Sequence, residues 1–196
     1  MFEQPKTYQQ ALSQAHELYN LDEVNHAIHA LCKSIKAHYA KAQCHFEPPL
    51  QAPLVTLTVM NGGMMFSSLA LMQLDMTLEC DYIHATRYAH NQTGGDLALL
   101  AEPKMDLHGR CVLLLDDIFD DGITLARVKQ YCLDRGAIDV QTAVLIYKDK
   151  HRTEQPIAQP DFEALRVPDK FIFGMGMDAS GLYRNAPGIY YFDETA

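Results

Sequence analysis

Between Val112 and Leu125 the chain reads VLLLDDIFDDGITL, with four carboxylates within six residues. Asp116 and Asp117 are adjacent, and Asp120 and Asp121 follow just before Gly122 and Thr124. Carboxylates in that density can accept hydrogen bonds from sugar hydroxyls, hold water on a divalent cation, or take a proton. They cannot bind phosphate. The residues after them can. Gly122 admits close backbone approach, Thr124 adds a hydroxyl, and from Leu125 the pattern turns helical through Val128 and Leu133. A helix start presents unpaired backbone N–H groups and the positive end of its dipole, which suits a phosphate. A loop acidic on one side and phosphate-seeking on the other suits a sugar phosphate with free hydroxyls. An ordinary strand-to-helix turn needs one capping acid, not four. An aspartyl-phosphate chemistry would need acids at alternate positions on the strand end, which Asp116, Asp117 and Asp120 do not provide.

The elements around this loop must place it. Val112 to Leu115 is apolar without alternation, as expected of a strand covered on both faces, and the acids are expected in the loop that follows it. Residues 8–41 carry helical spacing and are expected as two helices broken near Asn20-Leu21-Asp22, with Asp22 capping the second. His26 and His29 share one helix face there, with no third ligand nearby. Glu47-Pro48-Pro49 closes that region. Leu54 to Val59 reads as a strand running into Met60-Asn61-Gly62-Gly63. A helix follows to about Leu74, with a Met-rich stripe expected in the core. Leu78 to Tyr88 and Leu97 to Leu100 read as a hairpin-like pair around the polar turn His90–Asp96, a candidate flap over a ligand. Gly136 is placed to end the central helix, and Val140 to Tyr147 is the next strand. Strands alternating with helices imply an α/β fold with a mainly parallel twisted sheet flanked by helices, and chemistry at the carboxyl ends of its strands.

The bulk numbers fit one such domain. The chain has 196 residues, 48% hydrophobic and 21% charged. A net charge of −9 argues against nucleic acid or an anionic membrane as a general partner, though not against a small polyanion held at a local cationic site. Five widely spaced cysteines without a C-x-x-C pattern read as reduced, mostly buried thiols of a cytoplasmic protein. The start MFEQPKTYQQ does not have the form of a signal peptide, and no apolar run approaches a membrane span.

The acidic loop resembles the phosphoribosyl-pyrophosphate (PRPP) motif of type I phosphoribosyltransferases, and the order of motifs from Leu54 to Tyr191 resembles the hypoxanthine-guanine phosphoribosyltransferases. The family's Leu-Lys-Gly turn, with its non-proline cis peptide, is matched by Met60-Asn61-Gly62, and the Ser-Tyr opening of its mobile loop by Arg87-Tyr88. Its Glu-Asp-x-x-Asp-Thr-Gly-x-Thr is matched by Asp116, Asp117, Asp120, Asp121, Gly122 and Thr124, and its Leu-Asp-Lys by Ile146-Tyr147-Lys148. Its Pro-Asp-x-Phe-Val-Val-Gly-Tyr is matched by Pro168 to Met175, and its following Asp and Arg by Asp178 and Arg184.

The resemblance implies a single domain, with a core over about 50–160 and a small hood from about 1–48 and 161–196. It implies transfer of a phosphoribosyl group from PRPP to hypoxanthine or guanine, with Mg²⁺. Asp116, Asp117, Asp120, Asp121, Gly122, Ile123 and Thr124 would hold the sugar phosphate, with Asp120 as general base. Asn61, Gly62, Arg87, Tyr88 and Arg184 would hold pyrophosphate; Lys148, Phe171, Ile172 and Asp178 the purine; Asp116, Asp117 and Asp178 the metal. A homodimer or homotetramer is expected. Two departures stand out. Asn61 replaces a lysine, a loss Arg87 is expected to make good on loop closure. Asp121 replaces a hydroxyl, so its carboxylate is expected to face away from the phosphate, leaving its N–H. A xanthine-preferring transferase, or a non-catalytic nucleotide sensor on the same fold, are the alternatives.

Overall fold

The computed structural model of the chain describes residues 7–42, 53–87, 97–150 and 159–193. Strands β2 (Leu54–Met60), β3 (Leu78–Arg87), β4 (Leu97–Ala101), β5 (Cys111–Phe119), β6 (Asp139–Asp149) and β7 (Phe162–Pro168) form one sheet in the order β4-β3-β2-β5-β6-β7. Every neighbouring pair is parallel except β3 with β4, which runs antiparallel as the hairpin-like pattern implied. The turn joining β3 to β4 lies outside the described residues, as do Cys44 and the Glu47-Pro48-Pro49 stop.

β5 occupies an interior position and explains its unbroken apolar run. Leu113 and Leu115 enter a core with Val24, Ile28 and Ile35 of helix α2 (Leu21–Ala42) and Phe66 of helix α3 (Met64–Leu71). Val112 and Leu114 enter a second core with Leu125, Val128 and Cys132 of helix α4 (Ile123–Asp134). Alternate residues thus face opposite layers, and both layers are helical. The Met-rich stripe is only partly core: Phe66 and Ala70 are buried, but Met64 is exposed. Gly136, at a φ of +84° that favours glycine, ends α4 as expected.

The amino-terminal region departs from two helices. Helix α1 (Tyr8–Gln14) is followed by strand β1 (His16–Tyr19), which pairs with β9 (Ile189–Tyr191). β9 also pairs with β8 (Ile172–Phe173), so a second, three-stranded antiparallel sheet joins both ends of the chain. Leu18 and Tyr19 carry helical spacing but lie in a strand whose partner follows far along the sequence. The cap of α2 also moves. Asn20, not Asp22, accepts from the Glu23 N–H at 3.0 Å, and Glu23 accepts from the Asn20 N–H at 2.9 Å. This is a reciprocal capping box.

Cys32, Cys111 and Cys132 are buried free thiols, whereas Cys80 is an exposed one. Burial pushes Cys32 and Cys111 up to about 11 and Cys132 to about 12. No helix among the described residues is long and apolar enough to cross a membrane.

Candidate active site

The carboxyl ends of β2 and β5 and the start of α4 enclose a cavity of about 350 Å³. Asn61, Gly62, Asp116, Asp117, Asp120, Asp121, Gly122, Thr124, Asp178 and Arg184 all line it. Five carboxylates therefore meet a helix start in one space.

Asp116 and Asp117 belong to the strand, not to the loop after it. The ladder to β6 continues past them to Phe119 opposite Tyr147. Asp116 is only 7% exposed, and its Oδ1 accepts from the Asp117 N–H at 3.0 Å. Burial, then the neighbouring Asp117 charge, push the Asp116 carboxyl well above its usual range. Burial also raises Asp117, while its bond to Asp116 and the Arg184 guanidinium pull the other way.

The loop then turns at Gly122, whose φ of +76° favours glycine and whose absent side chain leaves room for the Phe119 ring, 2.5 Å from where a Cβ would stand. Gly122 directly precedes α4 and gives it no side-chain cap. The amides of Ile123 and Thr124 open the helix without intrahelical partners, which is the arrangement that receives a phosphate.

Opposite, the Met60–Asn61 peptide is cis, as the resembling turn implied. A Cβ on Gly62 would lie 1.9 Å from Asp117 Oδ2, and one on Gly176 would lie 1.9 Å from the Gly62 carbonyl oxygen. These bare backbones let the turn, the acidic strand and the Gly174–Met177 segment touch. Arg184 closes that side: it donates to the Gly176 carbonyl at 2.6 Å and pairs with Asp178 Oδ1 at 2.6 Å. Asp178 Oδ2 accepts from the Gly181 N–H at 2.6 Å. Arg87 is the last residue of β3, and Tyr88 lies outside the described residues.

Of the predicted purine-facing residues, Asp178 lines the cavity, whereas Lys148, Phe171 and Ile172 are not part of its lining. Lys148 is no solvated strand-end lysine. Its side chain is 12% exposed, and its ammonium lies 3.6 Å from Asp120 and 3.6 Å from Asp169. Phe171 is not core either: it is 61% exposed. Ile172 is buried in β8, with its backbone opposite Tyr191.

One cation had not been expected here. Lys150 Nζ lies 2.7 Å from Asp120 Oδ1 and also pairs with Asp121. Burial disfavours its charge, but the two carboxylates outweigh this and raise its pKa. The signal was present in Lys148-Asp149-Lys150, where a second lysine follows Lys148 by two residues, just past the end of β6.

Among the described residues, no three His, Cys, Asp or Glu side chains form a self-sufficient metal cage. Asp116, Asp117 and Asp178 share the cavity, but Asp178 is engaged by Arg184 and Gly181. The donors are hard oxygens, and a Mg²⁺ that arrives with substrate oxygens needs only one or two of them. His26 and His29 are engaged apart, by the Asp22 carbonyl at 2.7 Å and Gln73 Oε1 at 3.2 Å.

Comparison with known proteins adds the following. The family described as "Phosphoribosyl transferase domain" matches residues 24–180. A hypoxanthine-guanine phosphoribosyltransferase of Lactococcus lactis is 30% identical over 70% of this chain and 73% of its own length. A hypoxanthine-guanine-xanthine phosphoribosyltransferase of Tritrichomonas foetus is 28% identical over 91% of each chain. A solved structure of the hypoxanthine phosphoribosyltransferase of Trypanosoma cruzi, in complex with the product IMP, superposes with a TM-score of 0.81. It shares 24% identity, and the match covers 97% of this chain and 98% of that one.

Proposed function

This chain belongs to the phosphoribosyl transferase family, and from that premise we propose that it serves purine salvage, moving the phosphoribosyl group of PRPP onto hypoxanthine, guanine or both. The products are IMP or GMP and pyrophosphate. The observation that carries this reading is the meeting of Asp116, Asp117 and Asp120 with the amide-rich start of α4 in one cavity.

The roles follow from chemistry and position. Asp116 and Asp117 hold the ribose hydroxyls. The amides of Asp121, Gly122, Ile123 and Thr124, with the Thr124 hydroxyl, hold the 5-phosphate. The Gly62 backbone, Asn61 and Arg184 face pyrophosphate, and Arg87 and Tyr88 complete that side on closure. A purine ring nitrogen bonds the anomeric carbon as the bond to pyrophosphate breaks, and Asp120 takes the nitrogen's proton. Lys148 donates to the six-position oxygen, Phe171 stacks on the ring, and backbone carbonyls of Ile172 and Asp178 accept from its N–H groups. Mg²⁺ at Asp116, Asp117 and Asp178, through water and substrate oxygens, would supply charge neutralisation for the departing pyrophosphate. The three-stranded sheet supports a hood from about 1–48 and 161–196 over a core of about 50–160. Free described thiols accord with a cytoplasmic location, and the protein is read as a homodimer or homotetramer.

The test is a panel of hypoxanthine, guanine, xanthine and adenine with PRPP, with and without Mg²⁺, read as nucleotide formed. IMP or GMP is expected, with adenine poorest, because its six-position amino group cannot accept from Lys148. Xanthosine monophosphate as the main product would move the assignment to xanthine. No nucleotide from any base would overturn it.

A further inference from the structure

We propose that Lys150 is a positioning residue for the sugar's phosphate: its ammonium neutralises Asp121 and holds that carboxylate clear of the amide cradle at the start of α4. The inference rests on the phosphoribosyl reading of the cavity and adds a residue which that reading does not include.

Asp121 directly precedes Gly122, the residue from which α4 starts. A carboxylate there is a hazard twice over. It repels an incoming phosphate, and it can occupy the helix amides that the phosphate needs. Burial sharpens both effects, because a partly enclosed cavity screens charge less than water does. Asp120 stands next to it with a second negative charge.

Lys150 answers this geometry. It directly follows the last residue of β6, the strand hydrogen-bonded to β5, so its side chain comes from beside the loop and not from within it. One ammonium reaches both carboxylates, Asp120 Oδ1 at 2.7 Å and Asp121 Oδ1 in direct contact. The Lys150 side chain is 17% exposed and that of Asp121 41%, so solvent screens the pair only in part. Lys148, near the carboxyl end of β6, also approaches Asp120 at 3.6 Å. Two lysines at the carboxyl end of β6 and just past it thus hold the adjacent acids that follow β5, and Lys150 is the one that carries the ion pair to Asp121. A purely structural clamp would make the same contacts, so the discriminating property is dependence on Asp121 itself.

The experiment uses the full chain in two assays: steady-state kinetics with PRPP and the best purine of the panel, and calorimetric binding of ribose 5-phosphate. Lys150→Met should raise the PRPP KM and weaken ribose 5-phosphate at least tenfold, with kcat changed less than KM. Lys150→Arg should stay within threefold of the parent. In an Asp121→Thr background, the same Lys150→Met change should cost threefold or less. The proposal is overturned if Lys150→Met leaves both constants within threefold, or if the tenfold loss persists without Asp121, which is the mark of a structural clamp. Should Lys150→Met fail to fold, Asp121→Thr/Lys150→Met against Asp121→Thr decides by the same limits. Ribose 5-phosphate binding needs no turnover. A protein that makes no nucleotide but shows this coupling keeps the Lys150 assignment and loses the transferase one, and an active protein without it does the reverse. Absence of ribose 5-phosphate binding by the parent also overturns the proposal.

Discussion

Gly62 and the Asp117 carboxylate are in such close contact that a Cβ on the glycine would stand 1.9 Å from Oδ2. Gly62 is not among the residues with positive φ, so alanine meets no backbone penalty there. The obstacle is the carboxylate, the movable end of a side chain. Gly62→Ala should therefore displace Asp117 and leave the turn in place. Overpacking of this kind costs about 1–3 kcal/mol. Catalysis should suffer more, because misplacement near 1 Å can cost about 10²-fold. Urea unfolding beside kcat/KM for PRPP measures both, and an unimpaired kcat/KM would remove Asp117 from the sugar site.

Asp120 sits between the helix start and Lys148, where a carboxylate can take a proton from a purine while the sugar phosphate is held elsewhere. Asp120→Asn keeps the size and removes the basicity. General-base catalysis typically contributes about 10²–10⁴-fold, so kcat should fall by that order. The PRPP KM should move only a few-fold, because Asp116, Asp117 and the helix amides remain. Full activity in Asp120→Asn would refute the base assignment, and a large PRPP KM effect at constant kcat would recast Asp120 as a binding group.

The central strand and the acidic loop could be read from the chain because their causes are local. Val112 to Leu115 is apolar throughout since helices cover both faces, and Gly122 is required by its own φ and by the Phe119 ring. The end of that strand could not. Aspartates ordinarily mark a strand's exit, since burying a carboxylate is costly, yet the ladder to β6 carries Asp116 and Asp117 inside. Lys150 was hidden for a related reason: its partners are brought to it only by the pairing of β5 with β6. β1 was hidden because its partner strand comes at the other end of the chain.

The α2 cap shows how fine the local signal can be. Asp22 lies within the helix's first turn, and Asn20 with Glu23 forms the reciprocal pair that ends it. Asn20→Ala removes the acceptor for the Glu23 N–H and should cost about 1 kcal/mol, within a usual range of about 0.5–2. Asp22→Ala should cost less, losing only a favourable charge near the helix dipole. Urea midpoints of the two variants order the effects, and a larger loss in Asp22→Ala would restore Asp22 as the cap.

Phe171 separates stability from recognition. At 61% exposure its ring adds little to the core, so Phe171→Ala should shift the thermal midpoint only slightly. The ring nonetheless lies in a constrained place. The Lys170 N–H donates to the Pro168 carbonyl at 2.7 Å, and Asp169 stands 3.6 Å from Lys148, so the turn carrying Phe171 is tied to the lysine assigned to the six-position oxygen. An aromatic face exposed on that turn is the stacking wall proposed for the purine. Alanine substitution of a base-stacking aromatic typically costs about 1–3 kcal/mol. The purine KM should therefore rise by roughly 5- to 150-fold, since about 1.4 kcal/mol is tenfold. The PRPP KM should change little, and Phe171→Tyr should retain most of the purine affinity. A fall in thermal midpoint with an unchanged purine KM would make Phe171 a packing residue and leave the purine without its wall.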